Sequence, residues 1–173
     1  MRHFGLALIA AALLGLSGCG YHMLGAATHL PLDVSTLSVP EFATQTETYR
    51  SETVMTQAVI REFATRTRLR VTPNGAADSD AVLHGTILKE TAAPLTYNTS
   101  TQQSSSFLIT MVVSVTLTGR DGAVLYENKN YVFRQQYQST TNLPTFFQEN
   151  PKAVERLSRE FARQLVADVL EGF

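Results

Sequence analysis

FLITMVVSVTLTG, residues 107–119, alternates along its whole length. Phe107, Ile109, Met111, Val113, Val115 and Leu117 fall on one side of an extended chain, and Thr110, Ser114, Thr116 and Thr118 fall on the other. A period of two specifies a strand with one face in a core and the other left polar. Gly119-Arg120-Asp121-Gly122 follows as a turn, and AVLYENKNYVFRQQY returns with Leu125, Tyr131, Phe133 and Tyr137 on one side. The two segments predict an antiparallel hairpin with a single core face.

Working outward, AVLHGTILKE is a further strand, with Ala81, Leu83, Gly85 and Ile87 alternating against polar or larger residues. A glycine inside a strand marks a bulge or a close approach, so Gly85 is read as one of these. The polar stretch from Thr96 to Ser106 is read as the hairpin loop joining this strand to the next. Near the start of the domain, STLSVPEF alternates with Leu37 and Val39 on one side and Thr36 and Ser38 on the other. Pro40 lacks a ladder donor, which puts this strand at an edge or ends it there. TRLRVTPNGAADSD supplies a short extended piece and a turn around Pro73-Asn74-Gly75.

Two stretches change to a helical period. From about Glu47 to Arg66, Met55, Ala58, Val59 and Phe63 form one stripe, with Glu52 near the positive end and Arg66 near the negative one. In the last segment Asn150 is a suitable N-cap and Pro151 suits the first helical position. Val154, Leu157, Phe161, Leu165 and Val169 make its buried stripe, and Gly172 stands where a C-terminal cap belongs. A sheet with one apolar face and two amphipathic helices predicts an α+β two-layer sandwich. The expected order is β-α-β-β-β-α: a four-stranded, mostly antiparallel sheet with both helices on one face.

The N-terminus addresses location. Met1-Arg2-His3 is a cationic start and Phe4 to Leu16 is an apolar run, the pattern of a secretory signal peptide. The run is shorter than the roughly 20 apolar residues a spanning helix needs. Leu16-Ser17-Gly18-Cys19 looks like a bacterial lipobox, and Cys19 is the only cysteine in the chain. A plain secreted protein with a leftover thiol also fits, but lipidation accounts for an unpaired cysteine at this position. Diacylglyceryl and palmitoyl groups on Cys19 would together anchor stably, where one chain binds only marginally. Gly20 stands where an aspartate often marks inner-membrane retention, so the expected site is the outer membrane, on its periplasmic side. The expected organisation is therefore a signal peptide over 1–18, a lipidated tether over 19–31 and one domain over 32–173.

Composition narrows the function. At 44% hydrophobic and 17% charged, the chain can bury a real core. A net charge of −1 makes no electrostatic case for nucleic acid. No nucleophile elbow, zinc-binding helix, phosphate-binding loop or dinucleotide fingerprint occurs. His22 and His29 fall in or beside the tether and have no acidic neighbours, while His84 reads as a half-exposed strand residue. Asp78 and Asp80 flank a turn, and Glu155 and Glu160 take the solvated side of a helix. The expectation is a protein that is not an enzyme, with no catalytic residue, no metal and no cofactor beyond the lipid on Cys19. Arg120, Lys129 and Arg134 are the candidates for contacting an anionic group, because guanidinium and ammonium groups suit phosphate. The alternative for each is a solvated or edge-protecting strand residue.

GCGYHMLG at the cysteine, LSVPEFATQT, REFATRTRLRV, SDAVLHGTI and GAVLYEN together resemble the lipopolysaccharide-assembly lipoprotein family LptE, in that order over nearly the whole mature chain. Thr44 departs from the family, whose members often carry Asn there; only a turn is affected. The resemblance implies a plug inside the outer-membrane barrel LptD, assistance in that barrel's assembly, and delivery and binding of lipopolysaccharide. No basic position matches a family motif, so the resemblance itself assigns no lipopolysaccharide contact. A barrel lumen is polar, which suits a sandwich with one Thr/Ser/Gln-rich face. Another class of reading is a lipoprotein that activates a cell-wall synthase, although such proteins usually have a longer tether; an undetected hydrolase would need a convergent polar pocket.

Overall fold

The computed structural model describes residues 34–46, 51–74, 76–98, 103–138 and 143–171. Cys19, the signal peptide, the tether, the expected helical start at Glu47 and the Gly172 cap lie outside these residues. The elements are β1 (Thr36–Ser38), β2 (Ala43–Thr44), α1 (Ser51–Arg66), β3 (Arg70–Thr72), β4 (Ala81–Asn98), β5 (Gln103–Gly119), β6 (Val124–Gln138) and α2 (Leu143–Glu171). A single 3-10 turn, Ala76–Asp78, separates β3 from β4.

The α+β class and the two helices are as expected, but the sheet is larger and mixed. Among the described residues six strands pair in the order β3-β1-β4-β5-β6, with β2 also on β4. β1 runs parallel to both β3 and β4, and β2 runs parallel to β4. The expected four-stranded antiparallel sheet therefore describes only its long half, where β4, β5 and β6 are antiparallel. β2 and β3 are two and three residues long, too short to carry a period. Backbone bonds such as Val39 N–H to Thr72 O (2.8 Å) and Gln45 N–H to Ile87 O (2.9 Å) hold them in the sheet. α1 crosses over between β1 and β3, which is how parallel neighbours become connected.

The core lies between the helices and the inner face of the sheet. Met55, Val59 and Phe63 of α1 meet Leu37, Leu83, Ile87, Met111, Val113 and Val115, and Leu157, Phe161 and Leu165 of α2 complete the same cluster. Phe161 packs edge-on against Phe42, Tyr131 and Phe133. Gly85 is the close approach anticipated for it: a Cβ there would sit 2.2 Å from the Phe42 ring. The bulge lies two residues on, where Ile87 opposes Val113 and Lys89 opposes Val112. Pro40 does end β1, which stops at Ser38, but β1 is an inner strand, flanked by β3 and β4.

Three further expectations change. Thr96–Ser106 is largely strand: Thr96 opposes Ser106 and Asn98 opposes Gln103, with the Thr96 and Ser106 hydroxyls 2.7 Å apart. Polar hydroxyl and amide residues pair across exposed strands without any apolar alternation to announce them. α2 begins at Leu143, so Asn150 is not its cap and Pro151 lies inside it. Capping chemistry can recur within a helix; an interior proline costs about 3 kcal/mol, which the buried stripe from Ala153 to Val169 offsets. Along β6, Val113 opposes Tyr131 but Val115 opposes Asn128, three residues against two. This bulge shifts the parity, so Tyr126 takes the inner position where simple alternation put Leu125; Leu125 packs partly buried at the core's margin.

Candidate functional site

Among the described residues both helices pack on the inner face of the sheet and neither covers its outer face. Alternation about the buried positions of β5 sends Leu108, Thr110, Val112, Ser114 and Thr116 outward, and all five are only half-buried. Register adds Lys89 and Val132 beside Val112, Thr91 and Arg134 beside Thr110, and His84 beside Thr116. Hydroxyls therefore cover one half of the face. In the other half Val112 and Val132 sit side by side next to two cations, and Thr110 separates them from Leu108. Val132 is 39% exposed, high for a valine in mid-strand.

Arg134 is exposed and makes no ion pair or side-chain hydrogen bond among the described residues. Lys89 is in the same state on the same face, two strands away. Strand spacing and rise put their Cα atoms roughly 12 Å apart, within reach of one anionic group for two long side chains. The sequence reading missed Lys89 because the bulge after Ile87 reverses its face; alternation alone points it inward. Backbone register is the only signal that finds it.

The other two candidate cations are placed elsewhere. Arg120, in the β5–β6 turn, sets Nη2 2.9 Å from Asp80 Oδ1 and reaches the carbonyl oxygens of Ser79 and Asp78. The second Asp80 oxygen accepts from the Thr36 hydroxyl (2.7 Å), the Ser35 hydroxyl (2.8 Å) and both backbone N–H groups (2.9 and 3.0 Å). These bonds, the Thr36 hydroxyl foremost, hold the Asp80 carboxyl well below the usual carboxylate range. Asp80 is thus a latch between the starts of β1 and β4 and the β5–β6 turn, a larger role than turn former. Lys129 sits in the β6 bulge, 75% exposed and 3.2 Å from Glu127. It does not share a face with Tyr131, as uninterrupted alternation had placed it.

One polar cluster runs from two buried tyrosines out to the surface of α2. The Tyr131 hydroxyl donates to Asp168 Oδ2 at 2.6 Å and is hydrogen-bonded to the Tyr126 hydroxyl, while Gln164 Nε2 holds Asp168 Oδ1 at 2.7 Å. Burial first, and the Asp168 bond second, push ionisation of the Tyr131 phenol far up. A neutral phenol clamped to a carboxylate joins β6 to α2; it supplies neither a base nor a nucleophile. Glu155 and Glu160 are half-exposed or more and pair with Arg159 and Arg163 along α2. Among the described residues no three His, Cys, Asp or Glu converge as metal ligands, and no helix is long and apolar enough to cross a membrane.

Several solved structures share this architecture at low identity. Uncharacterised lipoprotein B of Nitrosomonas europaea matches with a TM-score of 0.51 and 16% identity, covering 81% of this chain and 88% of its own. A Caulobacter crescentus protein classed as a lipoprotein gives a TM-score of 0.55 at 13% identity, over 77% of this chain and 88% of that one. A Xanthomonas campestris protein gives 0.51 at 14%, over 86% and 91%. At such identities the likeness is one of fold. No curated protein matches the sequence. The family model for lipopolysaccharide assembly, LptE, matches residues 34–169, from the residue before the Asp80 latch's first donor to the last buried turn of α2. The chain belongs to the LptE lipopolysaccharide-assembly family.

Proposed function

We propose that this protein is a lipid-anchored, non-enzymatic assembly factor that plugs an LptD-type outer-membrane barrel and takes part in moving lipopolysaccharide to the cell surface. The observation that carries the reading is the family match over the whole described domain. The hydroxyl-rich outer face of the sheet, which no other described element covers, supports it, because a barrel lumen is polar and a large wet interface needs many modest contacts. The acyl groups would sit on Cys19 and hold the domain at the periplasmic side of the outer membrane.

Lipopolysaccharide is an amphiphile with phosphate groups. Arg134 and Lys89 next to Val112 and Val132 offer cations beside an apolar pair, which fits such a molecule. Among the three cations picked out in the sequence, Arg134 is the contact we carry forward. Arg120 and Lys129 already face Asp80 and Glu127.

Detergent pull-down of the tagged protein from outer membranes, with partners identified by mass spectrometry, tests the reading. A stoichiometric large barrel that survives high salt is the expected result. A cell-wall synthase in its place, or barrel folding that is untouched when this protein is depleted, would overturn it. Cys19→Ala should release the domain into the soluble periplasmic fraction.

A further inference from the structure

Pro73-Asn74-Gly75 joins β3 to the 3-10 turn before β4, and the proposed function makes no use of it. Asn74 is the one asparagine, of six in the chain, that a glycine follows. It is exposed, and Thr72 holds its backbone: the Asn74 N–H donates to the Thr72 hydroxyl (3.3 Å), which in turn donates to the Asn74 carbonyl oxygen (2.6 Å). Among the described residues its side-chain amide makes no hydrogen bond. A held backbone beside an unbonded carboxamide lets the side-chain carbon turn onto the peptide nitrogen that follows it. That nitrogen is placed by the planar peptide bond it shares with the Asn74 carbonyl. Glycine brings no Cβ to obstruct the approach.

A short polar residue precedes glycine once more, at Asp121-Gly122 in the β5–β6 turn, and there the geometry closes the same route. Asp121 Oδ1 accepts from the Ala123 N–H at 3.0 Å, and the Gly122 N–H donates to the Gly119 carbonyl at 3.0 Å. The carboxyl is held on the far side of the nitrogen it would have to meet, and that nitrogen's proton is engaged. Both sites are exposed, so access to water does not separate them. The hydrogen bonds do.

We propose that Asn74 is a site of spontaneous deamidation, while its turn protects Asp121 from the equivalent isomerisation. The peptide nitrogen after Asn74 loses its proton to solvent base and attacks the side-chain carbon. The new C–N bond closes a succinimide, and the side-chain nitrogen takes up a proton and leaves as ammonia. Water then adds to one of the two imide carbonyls and opens the ring, giving aspartate or isoaspartate. Either product moves the net charge of −1 one unit further negative, in the connection that already carries Asp78 and Asp80. In isoaspartate the oxygen beside Thr72 belongs to a free carboxylate, a stronger acceptor than a peptide carbonyl. The main chain then runs through the former side chain and is longer by a methylene.

The test incubates the purified protein, folded and in denaturant, in mildly alkaline buffer made with heavy-oxygen water. Its peptides are then mapped by mass spectrometry with fragmentation that separates aspartate from isoaspartate. The expected result is heavy oxygen at position 74 in the folded protein, gained at a rate within a few-fold of that in denaturant and faster as the buffer is made more alkaline. Asp121 should convert in denaturant, where its turn is gone, and not in the fold. Gly75→Ala should slow conversion at Asn74, and the exposed Asn130, which precedes Tyr131, should stay an amide. An Asn74 amide that survives in the fold, suppression by folding as strong at Asn74 as at Asp121, or a folded Gly75→Ala variant that converts as fast as the parent would each overturn the proposal. If Gly75→Ala loses its circular-dichroism signal, the comparison of folded and denatured parent at the two sites decides alone.

Discussion

β4 leads two lives along one strand. From Ala81 to Ile87 its inward residues are completely buried, flanked by β5 on one side and by β1 and then β2 on the other. From Thr91 to Thr96 every residue is exposed, and among the described residues only β5 pairs with it. The hydrogen-bonded ladder continues through both halves, so backbone pairing alone does not separate them. What separates them is the second neighbour and the cover that α1 and the aromatic cluster around Phe161 give to the root. The root resembles a domain core; the arm resembles a surface waiting for one, blunted meanwhile by Pro94 and by register shifts on either side of Thr96.

The largest way to break this contrast is to empty the root. Phe161→Ala removes the ring that meets Phe42, Tyr131 and Phe133, and should cost about 3–5 kcal/mol in denaturant unfolding. Overfilling the same place is next: Gly85→Ala forces the buried Phe42 ring to move, at about 1–3 kcal/mol by the same measurement. Tyr131→Phe removes the bond to Asp168 and the one to Tyr126, which should lower stability by about 1.5 kcal/mol while leaving the far-UV spectrum intact.

The Asp80 latch sharpens the comparison through pH. Its carboxyl is depressed in the folded state, so the stability it adds is fully present above its ordinary value of 3.8 and is lost as pH falls below that. Thermal melts of the parent should therefore lose midpoint steadily from about pH 4 downward. Asp80→Asn should start lower at pH 7 and show a shallower acid limb. An acid limb unchanged by that substitution would show that other carboxylates carry it. The smallest effect belongs to the arm: Ala92→Ser should stay within about 0.5 kcal/mol of the parent. Hydrogen exchange should find the β4 amides beyond Lys89 faster than those of Leu83 to Ile87, and equal rates would mean that something covers the arm.

Much of the root was legible in the residues. The stripe of Met55, Ala58, Val59 and Phe63 and the alternation of Phe107 to Leu117 are long and apolar, and such patterns survive folding because burial is what they encode. The arm was not, since Thr, Ser and Gln in a two-stranded ladder look like a loop when no apolar residue marks the inner face. The candidate site divided along the same line. Arg134 was visible as a strand cation, whereas Lys89 needed the bulge after Ile87, and Arg120's engagement needed Asp80, forty residues earlier, to be brought beside it.

By itself the amino-acid sequence determined the α+β class, the apolar stripes of both helices, the close approach at Gly85 and the family. Each is a local pattern, written over consecutive or periodic positions. Only the tertiary structure decided the parallel pairing of β1 with β3 and β4, the reversal of face at the two bulges, the start of α2 before Pro151, and which cations are left without a partner. Those depend on what chain returns beside a given residue, and a two- or three-residue strand or a single inserted residue carries too little periodicity to foretell it.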